Sequence, residues 1–248
     1  MRAAGIAVEC GLLEQEAQQI NEIFMVNMTQ KRPFVALKAA LTLDGKMTAQ
    51  DGSSKWITGE EARKHGQYLR HQYGAVLTGS GTVLKDNPQM NVRLENLLQP
   101  KRIVLDRYLK VAWPAKILQV QEAQTILITA SEEEIKKAAL KEKGVTVCTM
   151  PAGTDGFVLP DLLQMLYEMG IRSILVEAGP RLCTSFIQQD LVDKYYLFYA
   201  PKLVGGAAAP SLWEGAGCPS MAQAKQLKQM RIEPIGEDIL ISAYGKTW

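Results

Sequence analysis

The sequence predicts an α/β domain on a mostly parallel sheet with helices on both faces, and three observations carry that prediction. Short apolar runs rich in β-branched residues alternate along the chain with segments of helical period. Polar, glycine-containing turns follow several of the apolar runs, at the strand ends where ligands collect in open α/β sheets. The last two strand-like runs are joined by a long Gly/Pro-rich stretch, 201–219, with no clear helix for a right-handed crossover. Those two strands are therefore expected to pair antiparallel, at the C-terminal edge of the sheet.

The elements follow in order. Residues 14–28 place Ala17, Ile20, Phe24 and Met28 at a spacing of three to four, which predicts an amphipathic helix whose apolar face packs. A linker at 29–32 and Pro33, which restricts the residue before it, divide the chain into an N-terminal helical extension (1–32) and a catalytic domain (33–248). Residues 34–43 read as the first core strand. Asp44-Gly45 supplies a turn and Asp51-Gly52-Ser53-Ser54 a second break, just before Trp56. Thr58 and Glu61 are spaced as a capping box, opening a helix over 60–72. Strands are predicted over 75–78, 102–106, 125–129, 145–149, 173–177, 194–199 and 238–243. Helices are predicted over 132–143, 162–169 and 181–189.

Composition excludes several function classes. At 248 residues, 47% hydrophobic and 22% charged, the chain has globular composition and length enough for a large core. A net charge of +2, with both signs interspersed, argues against a nucleic-acid surface working by bulk electrostatics. No apolar run approaches the roughly 20 residues of a membrane span, and no signal-peptide pattern opens the chain. The cytoplasm is the expected location. Cys10, Cys148, Cys183 and Cys218 form no C-x-x-C pair, and His65 and His71 fall on different faces of one helix, so no metal site is expected. The His-x-Glu and Pro-Cys-x-x-Cys of a zinc nucleobase deaminase do not occur, so deaminase activity is not expected. The full G-x-G-x-x-G fingerprint and the G-x-S-x-G elbow are also absent, which disfavours a standard Rossmann dehydrogenase and a serine hydrolase.

Three strand ends concentrate ligand-binding groups. The first is 38–56, KAALTLDGKMTAQDGSSKW, with Lys38, Lys46, Ser54, Lys55 and Trp56 crowding one sheet edge. The second is 78–93, where Gly79 and Gly81 admit close backbone approach and Thr82, Asp86 and Arg93 offer hydroxyl, carboxylate and guanidinium. The third is Glu177-Ala-Gly179-Pro180, a strand end running into a helix start. The amides over 179–185 and the positive end of the helix dipole suit a phosphate or pyrophosphate there, and Pro180 fits the first turn. Structural capping alone is the competing reading. Glu177, a carboxylate ending an apolar strand, favours a pocket.

Four ordered blocks carry a resemblance: GSSKWIT (52–58), YLRHQYGAVLTGSGTVLKDNPQMNVR (68–93), ILVEAGPRL (174–182) and LVDKYYLFYAPKLVGG (191–206). From about Pro33 to its end the chain resembles the reductase domain of the bifunctional riboflavin-biosynthesis deaminase/reductases. Residues 1–24 resemble the segment joining the two halves of such enzymes. The resemblance implies a dihydrofolate-reductase-like fold, NADPH as cofactor and a homodimer. It implies reduction of 5-amino-6-(5-phosphoribosylamino)uracil to its ribitylamino product, with a separate deaminase as a further partner. Lys38, Ser54, Arg70, Met90, Arg93 and Glu177 match substrate contacts, with Arg70 and Arg93 as a fork for the ribose 5-phosphate. Ala40, Trp56, Thr82, Asp86, Arg107 and the turn Gly179, Pro180, Arg181, Leu182, Cys183, Thr184, Ser185 match cofactor contacts. Arginine at 107 departs from a small hydroxyl residue in some relatives and is read as meeting the 2′-phosphate of NADPH or facing solvent. Lys38 and Asp86 are the expected catalytic pair, polarising the reacting centre and relaying the proton, with Glu177 on the ribose hydroxyls. Two rivals stand beside this reading: a reductase of the same fold acting on another pyrimidine or pterin, and a non-catalytic chain that binds a deaminase.

Overall fold

The computed structural model describes residues 1–246. In chain order its first half is α1 (Glu14–Ile20), α2 (Glu22–Gln30), β1 (Phe34–Thr42), α3 (Glu60–Gln72), β2 (Ala75–Gly79), α4 (Ser80–Asp86), β3 (Lys101–Leu105) and β4 (Thr125–Thr129). There follow α5 (Glu134–Glu142), β5 (Thr146–Thr149), a small hairpin of β6 (Ala152–Gly153) and β7 (Gly156–Phe157), and α6 (Leu159–Glu168). The chain ends with β8 (Ser173–Val176), α7 (Pro180–Gln188), β9 (Lys194–Ala200), β10 (Lys228–Ile235) and β11 (Asp238–Tyr244). One sheet runs β10-β11-β9-β1-β8-β2-β3-β4-β5. From β9 to β5 every pairing is parallel, while β9–β11 and β11–β10 are antiparallel. This is the mixed α/β architecture that the resemblance implies, and the antiparallel C-terminal edge lies where the missing crossover helix puts it.

Both faces of the sheet are covered, as continuous apolar strands require. Along β1, Val35, Leu37 and Ala39 belong to a core shared with α6 and α7, while Phe34 and Ala36 belong to a second core that includes Val26, Ala62 and Leu69. The alternation puts Lys38 on the second face. Leu37 is level with Val176, so Lys38 and Glu177 emerge together, one step beyond that pair, toward α3.

Several expected details are corrected. The helix over 14–28 is interrupted at Asn21 and forms two, α1 and α2. Its apolar stripe does not pack: Ile20 is 84% exposed, Phe24 60% and Met28 51%. The docked face of α2 is instead partly polar. Asn27 Nδ2 donates to the carbonyls of Arg32 and Arg172, both at 2.9 Å, beside fully buried Val26. Lys194 Nζ donates to Glu22 at 3.0 Å. A period counted on apolar residues alone points to the wrong side of such a helix. The capping box is absent as well. The N-cap of α3 is Gly59, with no side-chain cap bond from its own segment. Asp238 Oδ2 from β11 accepts the Gly59 amide at 2.7 Å, a cap delivered from 179 residues away. The turn 79–93 holds a short helix, α4, and the long connection after β9 contains an additional edge strand, β10. Strand β10 is exposed almost throughout and carries Pro234, both fitting an edge position. Among the described residues no helix is long and apolar enough to cross a membrane.

Candidate active site

The C-terminal ends of the adjacent parallel strands β9, β1, β8 and β2 open into four loops that enclose one edge of the sheet. Lys38 and Glu177 stand at its floor. Glu177 is 8% exposed and accepts two hydrogen bonds from Arg70 of α3, Nε to Oε1 at 2.6 Å and Nη2 to Oε2 at 2.9 Å. Lys38 Nζ lies 4.0 Å from Glu177 Oε2 and 5.5 Å from the centroid of the Phe198 ring. Helix α3 packs directly over the lysine, a β-carbon on Gly66 lying 3.7 Å from Lys38 Cε, at ordinary van der Waals contact.

Two cations thus share one buried anion, and the titration behaviour follows. Burial pushes the Glu177 carboxyl up, but the Arg70 charge and hydrogen bonds, with Lys38, outweigh it and hold the group below the usual carboxylate range. Burial lowers Lys38, Glu177 raises it and Arg70 lowers it again, leaving the ammonium easier to deprotonate than an exposed lysine. Arg70 is lowered by burial but raised more by Glu177. An easily deprotonated lysine beside a fixed carboxylate is suited to passing on a proton.

The structure does not present Arg70 and Arg93 as a free fork. Arg70 is committed to Glu177, and its Nη1 donates to the Asn91 carbonyl at 2.9 Å. Arg93 is exposed, its Nη1 lies 3.3 Å from Asn91 Oδ1, and among the described residues it forms no ion pair. Its guanidinium thus stands exposed with no carboxylate paired to it among the described residues. Met90, 6% exposed, adopts a left-handed conformation (φ 52°) that turns the chain between Asp86 and Arg93.

Of the residues matched to a cofactor, Thr82 and 179–185 lie around the starts of α4 and α7, which face one another. A β-carbon on Gly79 would meet Leu182 Cδ2 at 3.6 Å, and one on Gly179 would meet Thr82 Oγ1 at 3.8 Å. Gly179 is the N-cap of α7 and Pro180 its first residue. The first main-chain bond of α7 runs from Cys183 to Gly179, so the amides of Arg181 and Leu182 have no backbone acceptor among the described residues. This fits a pyrophosphate group: open amides, a helix dipole and an exposed Arg181 meet at one point. The side chains deeper in the turn are engaged elsewhere. Cys183 is fully buried with its thiol on the Ala178 carbonyl, and burial pushes it up to about 12. Thr184 Oγ1 accepts the Glu214 amide at 2.9 Å, and Ser185 Oγ donates to the Arg181 carbonyl at 3.1 Å. Ala40 shares the face of Lys38 on β1. Asp86, the last residue of α4, is half-buried and makes no hydrogen bond among the described residues. Ser54 is half-buried in the loop after β1, and Trp56 is 66% exposed with the Arg63 guanidinium 4.4 Å from its ring. Arg107 lies apart, donating to the Thr154 carbonyl at 3.0 Å and stacking on Tyr108.

Sequence reading missed three contributors. The loop after β9 is bound to the loop after β1: Asp44 accepts Thr42 Oγ1 at 2.6 Å and the Gly205 amide at 2.6 Å, holding its carboxyl down to about 2. Lys202 Nζ donates to the Trp56 carbonyl at 2.7 Å and Lys46 Nζ to the Ala209 carbonyl at 3.0 Å. The Asp44-Gly45 pair signalled a turn, and its second role depends on a segment about 160 residues away. Asn91 was passed over between Met90 and Arg93. Thr78, fully buried with a hydroxyl that has no partner among the described residues, lies near the end of β2 one step beyond the Leu77–Val176 pair, beside Glu177.

Comparison with known proteins agrees with this fold. The RibD C-terminal domain family matches residues 33–241. The chain is 43% identical over 243 residues to the riboflavin biosynthesis protein RibD of Aquifex aeolicus, covering 97% of this chain and 66% of that protein. It is 35% identical to RibD of Escherichia coli over 260 residues, covering 99% and 69%. Among solved structures, RibD of Acinetobacter baumannii superposes with a TM-score of 0.83 at 34% identity, covering 99% of this chain and 67% of that one. The Thermotoga maritima diaminohydroxyphosphoribosylaminopyrimidine deaminase/5-amino-6-(5-phosphoribosylamino)uracil reductase gives 0.79 at 32%, covering 98% and 65%. The chain spans about two thirds of the length of the curated relatives it matches. With residues 33–241 matching its model, the chain belongs to the family of RibD C-terminal domains.

Proposed function

We propose that the chain is an NADPH-dependent reductase that opens the ribose of 5-amino-6-(5-phosphoribosylamino)uracil at C1′, giving the ribitylamino product. The observation that carries this reading is the buried Lys38–Glu177–Arg70 cluster standing beside the open amides of α7 at one sheet edge. NADPH, when bound, supplies the hydride. Glu177, held ionised by two cations, accepts from the ribose hydroxyls. Lys38 is placed to deliver the proton that ring opening requires, with Asp86 as relay at the mouth of the site. Arg93 takes the 5-phosphate, and Arg70 serves by fixing Glu177. Arg181 and the first-turn amides of α7 hold the pyrophosphate.

The deaminase of the pathway is the proposed protein partner, and the exposed stripe of Ile20, Phe24 and Met28 supports a surface for it. The free edge of β10 supports a homodimer in the same way.

The test is NADPH oxidation followed by absorbance, with the phosphoribosylamino substrate generated in situ by a separate deaminase. Turnover is expected, with KM raised at least about tenfold in Arg93→Ala, which removes a charge-assisted contact. NADPH binding without turnover on this substrate would assign the site to a different pyrimidine or pterin. Absence of NADPH binding would favour the deaminase-binding alternative.

A further inference from the structure

Asn91 makes a hydrogen bond through each of its side-chain polar atoms and through its carbonyl, although it is only 3% exposed. Its carbonyl accepts from Arg70, its Oδ1 faces the Arg93 guanidinium at 3.3 Å, and its Nδ2 donates to the Glu122 carboxylate. Only one orientation of the amide satisfies both neighbours, because Oδ1 must meet a donor and Nδ2 an acceptor. The surrounding turn is fixed from outside. Gln99 bonds both the amide (2.8 Å) and the carbonyl (2.6 Å) of Val92, and Gln67 Oε1 accepts the Arg93 amide at 2.7 Å. One buried neutral residue thus links the arginine that anchors Glu177, through its carbonyl, to the arginine left with an uncompensated charge, through its amide side chain.

Neutrality is the point of this arrangement. A carboxylate at position 91 would hold Arg93 equally well but would cancel the charge an incoming phosphate has to meet. The amide orients the guanidinium and leaves its charge free, while the acidic Glu122 is kept on the far side of Asn91.

We propose that Asn91 is a positioning residue that selects for phosphorylated substrates, by orienting Arg93 without neutralising it and by tying Arg93 to the Arg70–Glu177 pair. This deepens the reductase reading and rests on it.

The experiment compares wild type, Asn91→Ala and the double variant Asn91→Asp/Glu122→Gln. The double variant reverses the hydrogen-bond polarity between 91 and 122 at constant net charge, so the contacts to Arg93 and to residue 122 can both form. Thermal midpoint, ribose 5-phosphate binding by calorimetry, and kcat/KM on the phosphorylated and dephosphorylated substrates are measured for each. Asn91→Ala is expected to lose stability and about tenfold in ribose 5-phosphate affinity, with the preference for the phosphorylated substrate falling by a similar factor. The double variant is expected to recover the midpoint but not the affinity or the preference. Recovery of all three together would make Asn91 purely structural and overturn the proposal, as would wild-type affinity in Asn91→Ala. A wild-type chain that neither turns over nor binds ribose 5-phosphate would instead sink the reductase reading, and this inference with it.

Discussion

At the scale of single residues the dominant feature is one carboxylate between two cations. Glu177 is depressed below its ordinary value of 4.5, and the sign of its linkage follows. Its contribution to stability is complete above about 4.5, its unfolded value, and is lost as pH falls through the lower folded value. Lys38 runs the other way. Its folded value lies below the ordinary 10.5, so the folded chain releases a proton that the unfolded chain keeps, and stability contributed by this group rises as pH climbs through the folded value. If Lys38 must be protonated to act, the alkaline limb of the pH–kcat profile falls below 10.5. Replacing Glu177 by Gln removes the only anion of the cluster, the one group that raises Lys38. The limb should then move to lower pH, with a stability loss of about 3 kcal/mol for leaving two buried cations unpaired. A limb that stays in place in Glu177→Gln would remove Lys38 from the proton path.

At the scale of elements, the site is assembled by contacts across the sheet. Helix α3 carries Arg70 and Gly66, and its N-terminus is capped by Asp238 from the last strand. Asp238 is 3% exposed and places a carboxylate at the positive end of the helix dipole. Asp238→Ala is expected to cost about 1–2 kcal/mol in denaturant unfolding, typical of a lost cap with a dipole contribution. Asp238→Asn should recover part of it by keeping an acceptor. Equal loss in both variants would show that charge alone matters at this cap. The adjoining turn explains the neighbouring sequence: Gly236 has φ 62°, and a β-carbon there would lie 2.8 Å from Glu61 Oε2.

At the scale of the whole molecule, the first thirty-two residues are bound to the sheet by polar contacts. Arg32 pairs with Asp193 through two bonds of 2.6 Å, and Asp193, fully buried, also accepts the Val35 amide at 2.8 Å. Lys194 and Tyr244 both donate to Glu22. Asp193→Ala should therefore cost about 3 kcal/mol, because the buried Arg32 would lose its ion-pair partner and keep only Gln30 and the Pro33 carbonyl. Urea unfolding followed by circular dichroism would show it. A loss below about 1 kcal/mol, in the range of surface pairs, would mean that the extension is held by Val26 packing rather than by this ion pair.

What the chain determined by itself is the local part. The alternation of apolar runs, the missing crossover helix and the Gly-Pro helix start made the parallel sheet, its antiparallel C-terminal edge and the start of α7 legible, because each depends on residues adjacent in sequence. Lys38 within β1 and Glu177 just beyond β8 were legible as candidates, since a charge inside or closing an apolar strand has few structural reasons to be there. The tertiary structure decided who meets whom. Arg70 turned from phosphate to Glu177, Asn91 became a junction, Asp44 joined loops far apart in the chain, and Asp238 replaced the capping box. The exposed stripe of α1 and α2 has the same cause. Hydrogen bonds and ion pairs carry no period along the chain, so the partner of a polar group is set by which strands lie side by side.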